Sequence, residues 1–299
     1  MPDALYSDRL TQLCARFEHA LPGFLPQTGG RQTTVCEAMD YACKDGGKRL
    51  RPVLLLAFCR LCGGDTEAAL PFAAAIEMVH SYSLVHDDLP CMDNSLMRRG
   101  RPSTHAVYGE TMALLAGDAL LNRAFEVMLR PDPAHPLPPE HRLAAAAALA
   151  DAAGADGMVG GQVIDLQSEG KQIGRDDLEA LQEGKTAALI AAACVMGVCL
   201  GGGDDRQRAA ARAYGHAIGL GFQIVDDILD VTATPETLGK PVGSDADNDK
   251  TTFITLYGLD GARALAKQHN DTAMAALDGF GAQEDFLRLL AGELLQRKK

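Results

Sequence analysis

Two acidic clusters stand far apart in the chain, each set in apolar sequence. The later one lies in AIGLGFQIVDDILDV, residues 217–231, which is apolar except for Gln223, Asp226, Asp227 and Asp230. At about 100° per residue these four positions fall within one arc of about 100° on a helix. The segment therefore reads as a buried helix with a single polar stripe. Carboxylates on such a stripe repel one another and are costly to desolvate unless cations or donors fill the space they face. Hard oxygen ligands suit a divalent ion such as Mg²⁺. A solvated acidic face would need polar neighbours upstream on the same side, and the stripe meets Gly219 and His216 there instead. The earlier cluster is DDLPCMD, with Asp87, Asp88 and Asp93, at the end of EMVHSYSLVH. His80, Ser83 and Asp87 share a narrow arc of that helix. Pro90 disturbs it, which lets Asp93 swing back toward Asp87.

Basic residues follow at once, with Arg98, Arg99 and Arg101 in NSLMRRGRP. Carboxylates alone would suggest a metal site, and arginines alone an anion site. Together they suggest an anion bound through metal, typically phosphate or diphosphate. GGKRLRP adds Lys48, Arg49 and Arg51 behind a glycine pair, Lys185-Thr186 opens an apolar helix, and Lys240 and Lys250 lie in the loop after the second cluster. Gly-x-x-x-x-Gly-Lys-Ser/Thr is absent and no strand precedes GGK, which argues against a P-loop nucleotidase.

The elements that must position these residues are helical. Apolar residues recur at helical spacing, interrupted by glycine and proline clusters. The pattern predicts helices at 4–20, 34–44, 50–62, 66–88, 104–130, 139–170, 175–201, 204–231 and 258–295, the last one broken. No alternating strand pattern competes. PDPAHPLPP, Pro131 to Pro139, reads as a solvent loop between helices of the same Ala/Leu stock, so one all-α domain over 1–299 is the simplest account.

Composition narrows the function further. With 28 Lys+Arg against 40 Asp+Glu the formal net charge is −12, which argues against a general nucleic-acid binder. No secretory segment or transmembrane segment is expected, because the start lacks an apolar run and Thr186 to Leu200 falls short of a span. The eight cysteines show no framework spacing, and the lone Cys59-x-x-Cys62 has no partner pair, so reduced thiols in a cytoplasmic protein are expected.

In their order and approximate spacing, GGKRLRP, HSYSLVHDDLPCMDNSLMRRGRPSTH, GLGFQIVDDILD and KPVGSDADNDKTT resemble the short-chain trans-isoprenyl diphosphate synthases, bacterial farnesyl diphosphate synthases above all. The resemblance runs from about residue 35 to residue 255. It implies an all-α isoprenoid-synthase helical bundle around a deep central active-site cavity, usually as a homodimer. It also implies head-to-tail condensation of isopentenyl diphosphate with an allylic diphosphate. In that reading Asp87, Asp88, Asp93, Asp226, Asp227 and Asp230 hold Mg²⁺, with Mn²⁺ as the alternative ion. Arg98, Lys185 and Lys240 share the charge of the allylic diphosphate. Lys48, Arg51, His80 and Arg99 match positions that bind isopentenyl diphosphate, while Lys250 and the tail Arg297, Lys298 and Lys299 help close the site. Thr186 and Gln223 face the allylic cation, and Gln162 and Asp165 give structural support.

Tyr82, fifth before Asp87, matches the pattern associated with a farnesyl product, although a straight helical wheel puts Ser83 nearer the Asp87 face. Geranylgeranyl and geranyl diphosphate synthases are the alternatives within the family. A class I terpene cyclase has no need of Lys48, Arg51 and His80, and intact aspartate motifs argue against a catalytically silent subunit. The chain departs from the family at Asn94-Ser95, where acidic residues often stand, and at Phe253, where Tyr is frequent. By analogy alone, the long helix after Thr104 is a candidate dimer interface.

Overall fold

The Ala- and Leu-rich stretches form helices throughout the computed structural model, which describes residues 2–44, 46–232, 251–280 and 285–296. In chain order these are α1 (Pro2–Phe24), α2 (Thr33–Cys43), α3 (Leu50–Leu61), α4 (Thr66–Asp87), α5 (Thr104–Tyr108), α6 (Glu110–Leu129), α7 (Pro139–Ala153), α8 (Met158–Ser168), α9 (Arg175–Gln182), α10 (Ala188–Leu200), α11 (Asp205–Thr232), α12 (Phe253–Ala276) and α13 (Asp285–Gln296). A two-stranded hairpin, β1 (Met97–Arg98) and β2 (Arg101–Pro102), precedes α5. Lys240, Lys250, Arg297, Lys298 and Lys299 lie outside the described residues.

Helix α10 shows why the bundle forms as it does. It is apolar all round, so no face suits water, and every residue from Leu189 to Leu200 is buried. Each of its larger side chains contributes about 1.5–3 kcal/mol on burial. It packs on α3, α7 and α11, with Gly197 letting the α3 backbone approach. Helix α4 starts at Asp65, whose side chain accepts from the Glu67 N–H, and runs almost wholly buried to the first acidic cluster. The main core joins side chains from Leu13 of α1 to Ala291 of α13, and Tyr214 is buried within it, donating its hydroxyl to Leu287 O at 2.8 Å.

Several expected boundaries are corrected. The expected helix over 104–130 is broken at Gly109, whose φ of 83° suits glycine, and the one over 139–170 is interrupted at Gly154. The stretch 175–201 contains a π-helical turn, Glu183–Ala187. The last broken helix begins at Phe253, kinks at Gly258 and is followed by a 3₁₀ turn, Leu277–Phe280. The hairpin was not expected at all. Two-residue strands carry no alternation to detect, and its turn residues Arg99 and Gly100 both have positive φ, 52° and 79°, the pattern of a type I′ turn.

The expectation about membrane-length segments also changes. Thr66–Asp87, Pro139–Ser168 and Arg175–Leu200 are each long and apolar enough to cross a membrane by length and composition. The first and third are largely buried inside the bundle, where the same apolarity forms the core. Continuation of α10 back through the π turn and α9 makes the third longer than the apolar run alone.

All eight cysteines are free. Burial pushes the Cys59 and Cys62 thiols up to about 12 and about 11, so this C-x-x-C is not poised as a thiolate pair.

Candidate active site

A cavity of about 1050 Å³ opens between α3, α4, α8, the π turn and α11. Lys48, Arg51, His80, Tyr82, Asp87, Arg98, Arg99, Lys185, Thr186, Gln223 and Asp226 all line it. Asp88, Asp93, Asp227 and Asp230 do not. Both Tyr82 and Ser83 reach the cavity, so the choice that a straight wheel imposed between them does not arise.

One end of the cavity is a basic cradle built by the glycine pair. Gly46 and Gly47 have φ of 78° and 113°, conformations that a side chain disfavours, and a Cβ on Gly47 would stand 2.6 Å from Arg99 Nη1. Arg99 donates to Gly46 O at 2.7 Å and lies 3.4 Å from His80 Nε2. Arg51 and His80 touch the cavity while lying deep in the protein. Burial lowers the Arg51 pKa to about 10, with Arg99 adding to the fall and Glu77 opposing it. Its Nε is shut off from solvent without a hydrogen-bond partner among the described residues. Burial also holds the His80 pKa well below its ordinary value, and the charges of Arg51, Arg99, Arg49 and Arg98 push the same way. Lys48 lies over the Phe222 ring at 5.6 Å. This crowding of positive charge is what a bound anion would relieve.

Arg49, between Lys48 and Arg51, faces the interior instead. It caps α3 in the left-handed conformation, φ 48°, and is 5% exposed. Its guanidinium donates to Glu18 Oε1 at 2.5 Å, Glu77 Oε1 at 2.7 Å and Cys43 O at 2.8 Å. Helices α1, α2 and α4 thus meet on one side chain. Burial opposes its charge, but Glu18 and Glu77 outweigh that and raise its pKa.

The acidic side of the cavity is held by cross-braces. The Asp93 N–H bonds Asp87 O at 2.9 Å, the return expected from Pro90. Gln162 Nε2 donates to Asp87 Oδ1 at 2.5 Å, and Lys185 Nζ stands 2.5 Å from Asp165 Oδ2 and 3.8 Å from Asp87 Oδ2. Burial works against the Lys185 charge, yet Asp87 and Asp165 more than offset it and its pKa rises. Arg98 forms a close pair with buried Asp88. Burial again opposes the charge, and Asp88, followed by Asp87 and Asp93, prevails in raising the Arg98 pKa.

The second cluster diverges once folded. Asp226 opens on the cavity, while Asp227 is 5% exposed and accepts from the Phe253 N–H at 2.8 Å. Phe253 therefore meets Asp227 through its backbone N–H, while its side chain packs with Ile224, Val225 and Leu229. Asp227 also borders a smaller pocket with Asp165, Lys185 and Thr251, and Asp230 is buried at 2%. Accordingly, among the described residues no three His, Cys, Asp or Glu side chains converge as a ready-made metal site. The donors still fit Mg²⁺, which binds through one or two carboxylates and completes its shell with water and phosphate oxygens. Asp87 and Asp226 offer such carboxylates from two helices beside the cationic cradle.

Reasoning from the sequence missed what seats Lys185. A Cβ on Gly161 would lie 2.1 Å from Lys185 N, and one on Gly184 2.8 Å from Gly161 Cα, so α8 packs directly on the π-turn backbone. The extra residue of that turn aims Lys185 and Thr186 at the cavity. The Gly160-Gly161 pair was the available signal.

Comparison with known proteins adds an independent line. The polyprenyl synthetase family model matches residues 32–284. The chain is 46% identical over 251 residues to the large subunit 1 of a heterodimeric geranylgeranyl pyrophosphate synthase, chloroplastic, of Arabidopsis thaliana, covering 83% of this chain and 68% of that one. It is 45% identical over 241 residues to a farnesyl diphosphate synthase of Geobacillus stearothermophilus, covering 81% of each. Among solved structures, an FPP/GFPP synthase from Zymomonas mobilis superposes with a TM-score of 0.86 at 37% identity, covering 99% of this chain and all of that one.

Proposed function

Because the chain belongs to the polyprenyl synthetase family as a trans-prenyl diphosphate synthase, a prenyltransferase, we propose that it makes farnesyl diphosphate. The reaction joins isopentenyl diphosphate head-to-tail to an allylic diphosphate, dimethylallyl or geranyl, in a single-domain chain that works as a homodimer. The observation that carries this reading is one cavity with two charged regions and an apolar remainder. Lys48, Arg51, His80 and Arg99 form one region; Asp87, Asp226, Arg98 and Lys185 form the other. That is room for two anionic substrates and one growing tail.

In the proposed reaction the allylic C–O bond breaks and its electron pair leaves with diphosphate. Arg98 and Lys185 hold the leaving group and stabilise its developing charge. Mg²⁺ would be held by the two aspartate clusters, through Asp87 and Asp226 at the cavity with Asp88, Asp93, Asp227 and Asp230 behind them, and would supply Lewis-acid stabilisation of that charge. Thr186 and Gln223 place oxygens beside the allylic cation, and Leu189, Ile190 and Phe222 keep water from it. Lys48, Arg51, His80 and Arg99 hold the second substrate so that its double bond captures the cation. No protein base is required, since the released diphosphate takes the final proton.

Tyr82 supports the farnesyl product. It is 7% exposed on the cavity wall, more than one helical turn before Asp87 on α4. A geranylgeranyl product is the second reading, favoured by the identity to plant synthases of that name. The test is incubation of the purified chain with isopentenyl diphosphate, Mg²⁺ and either allylic primer, followed by product sizing. Farnesyl diphosphate as the main product is expected. No condensation with either primer would sink the reading, and a cyclised hydrocarbon from a longer diphosphate would favour a cyclase. Asp87→Ala and Asp226→Ala should each remove most activity while far-UV circular dichroism stays unchanged.

A further inference from the structure

His86 is a cavity residue that the reaction above does not use. It follows Tyr82 by one helical turn on α4, and the two rings meet edge-on, centroids 5.7 Å apart at 77°. Its Nε2 lies 3.1 Å from Leu114 O of α6. A carbonyl only accepts, so Nε2 carries the proton and donates it. The ring edge occupies a slot that exists because residue 117 is glycine. A Cβ there would stand 2.0 Å from Nε2, 2.4 Å from Cδ2 and 2.8 Å from Cε1. Gly117 has no positive φ to explain it and sits inside α6, where glycine weakens a helix. Its use is the space it leaves.

We infer that Gly117 determines product length by seating the His86 imidazole against α6 and out of the channel that Tyr82 closes. The inference rests on the elongation reading given above. With α6 on one side of the ring and the cavity on the other, a side chain at 117 pushes the imidazole off α6 and toward the channel above Tyr82. The channel narrows at a level the tail reaches earlier, and synthesis stops sooner. Removing the ring has the opposite effect, because it widens the wall and frees the edge of Tyr82.

The experiment sizes products from wild type, Gly117→Ala, His86→Ala and the double variant, each fed isopentenyl diphosphate and dimethylallyl diphosphate with Mg²⁺. Gly117→Ala is expected to raise the geranyl-to-farnesyl product ratio by about tenfold, the rate change that about 1.4 kcal/mol of crowding against the further elongation step would give. His86→Ala should shift products longer, and adding Gly117→Ala to it should cause no further change. That dependence on His86 separates positioning from general loss of stability. If Gly117→Ala fails to fold, His86→Ala decides alone. Unchanged or opposite product lengths overturn the inference while leaving the synthase reading intact; no condensation by wild type overturns that reading instead.

Discussion

His80 sits among Arg49, Arg51, Arg98 and Arg99, and its environment gives it a measurable signature. The unfolded imidazole titrates near 6.5, whereas the folded one takes up its proton well below that. The native state therefore binds fewer protons, and the stability linked to this group is complete above about pH 6.5 and lost as pH falls toward the folded pKa. His80→Gln should flatten the drop in Tm between about pH 7 and pH 5, as read by thermal melts in matched buffers. Tyr82 is open to an equally direct test. Truncation to alanine opens the wall at its level, so mass analysis should find products longer than wild type. Unchanged lengths would remove Tyr82 as the stop.

Between residues and fold lie the short elements that aim side chains. The β1–β2 hairpin turns at Arg99-Gly100 and sends Arg98 to Asp88 and Arg99 to the glycine pair. The π turn does the same for Lys185 and Thr186, against Gly161 of α8. A methyl on Gly161 must displace the Lys185 backbone. Because a misplacement of about 1 Å costs about 100-fold in rate, Gly161→Ala should lower kcat by about that factor with little change in far-UV ellipticity. A wild-type kcat would show that the turn tolerates the shift. Neither element carries a periodic pattern. Their sequence traces were the glycines alone, and a glycine states that space or a turn is needed without saying whose.

At the scale of the whole molecule, Arg49 ties α1, α2, α3 and α4 at the point where the basic cradle begins. Its buried bond to Glu77 joins side chains that are 3% and 4% exposed. Removing one partner strands a charge in the core, which costs about 3–5 kcal/mol. Glu77→Leu should lower the urea unfolding free energy by that amount, while a joint Arg49→Met and Glu77→Leu change should recover much of it. A loss no smaller in the joint variant would assign the effect to packing. The net charge of −12 is likewise a property of the whole chain. It describes the surface the chain shows to nucleic acid and says nothing of a cavity where Lys48, Arg51, Arg98, Arg99 and Lys185 gather.

The amino-acid sequence by itself determined the helical character, because apolar spacing is a local property of the chain. It also pointed to an anion site, because carboxylates and arginines crowded at the ends of apolar helices need charged partners. Lys48, Arg51, His80, Asp87 and Asp226 were all identifiable as residues, and the fold brings these five to one cavity. Only the tertiary structure decided how each carboxylate is employed. Asp87 and Asp226 face the cavity, Asp88 is taken by Arg98, and Asp227 by the Phe253 N–H. A helical wheel places a side chain on an arc but does not know which helix packs against that arc. The partner across the gap, Gly161 for Lys185 or Gly117 for His86, lies tens of residues away and is fixed by packing alone.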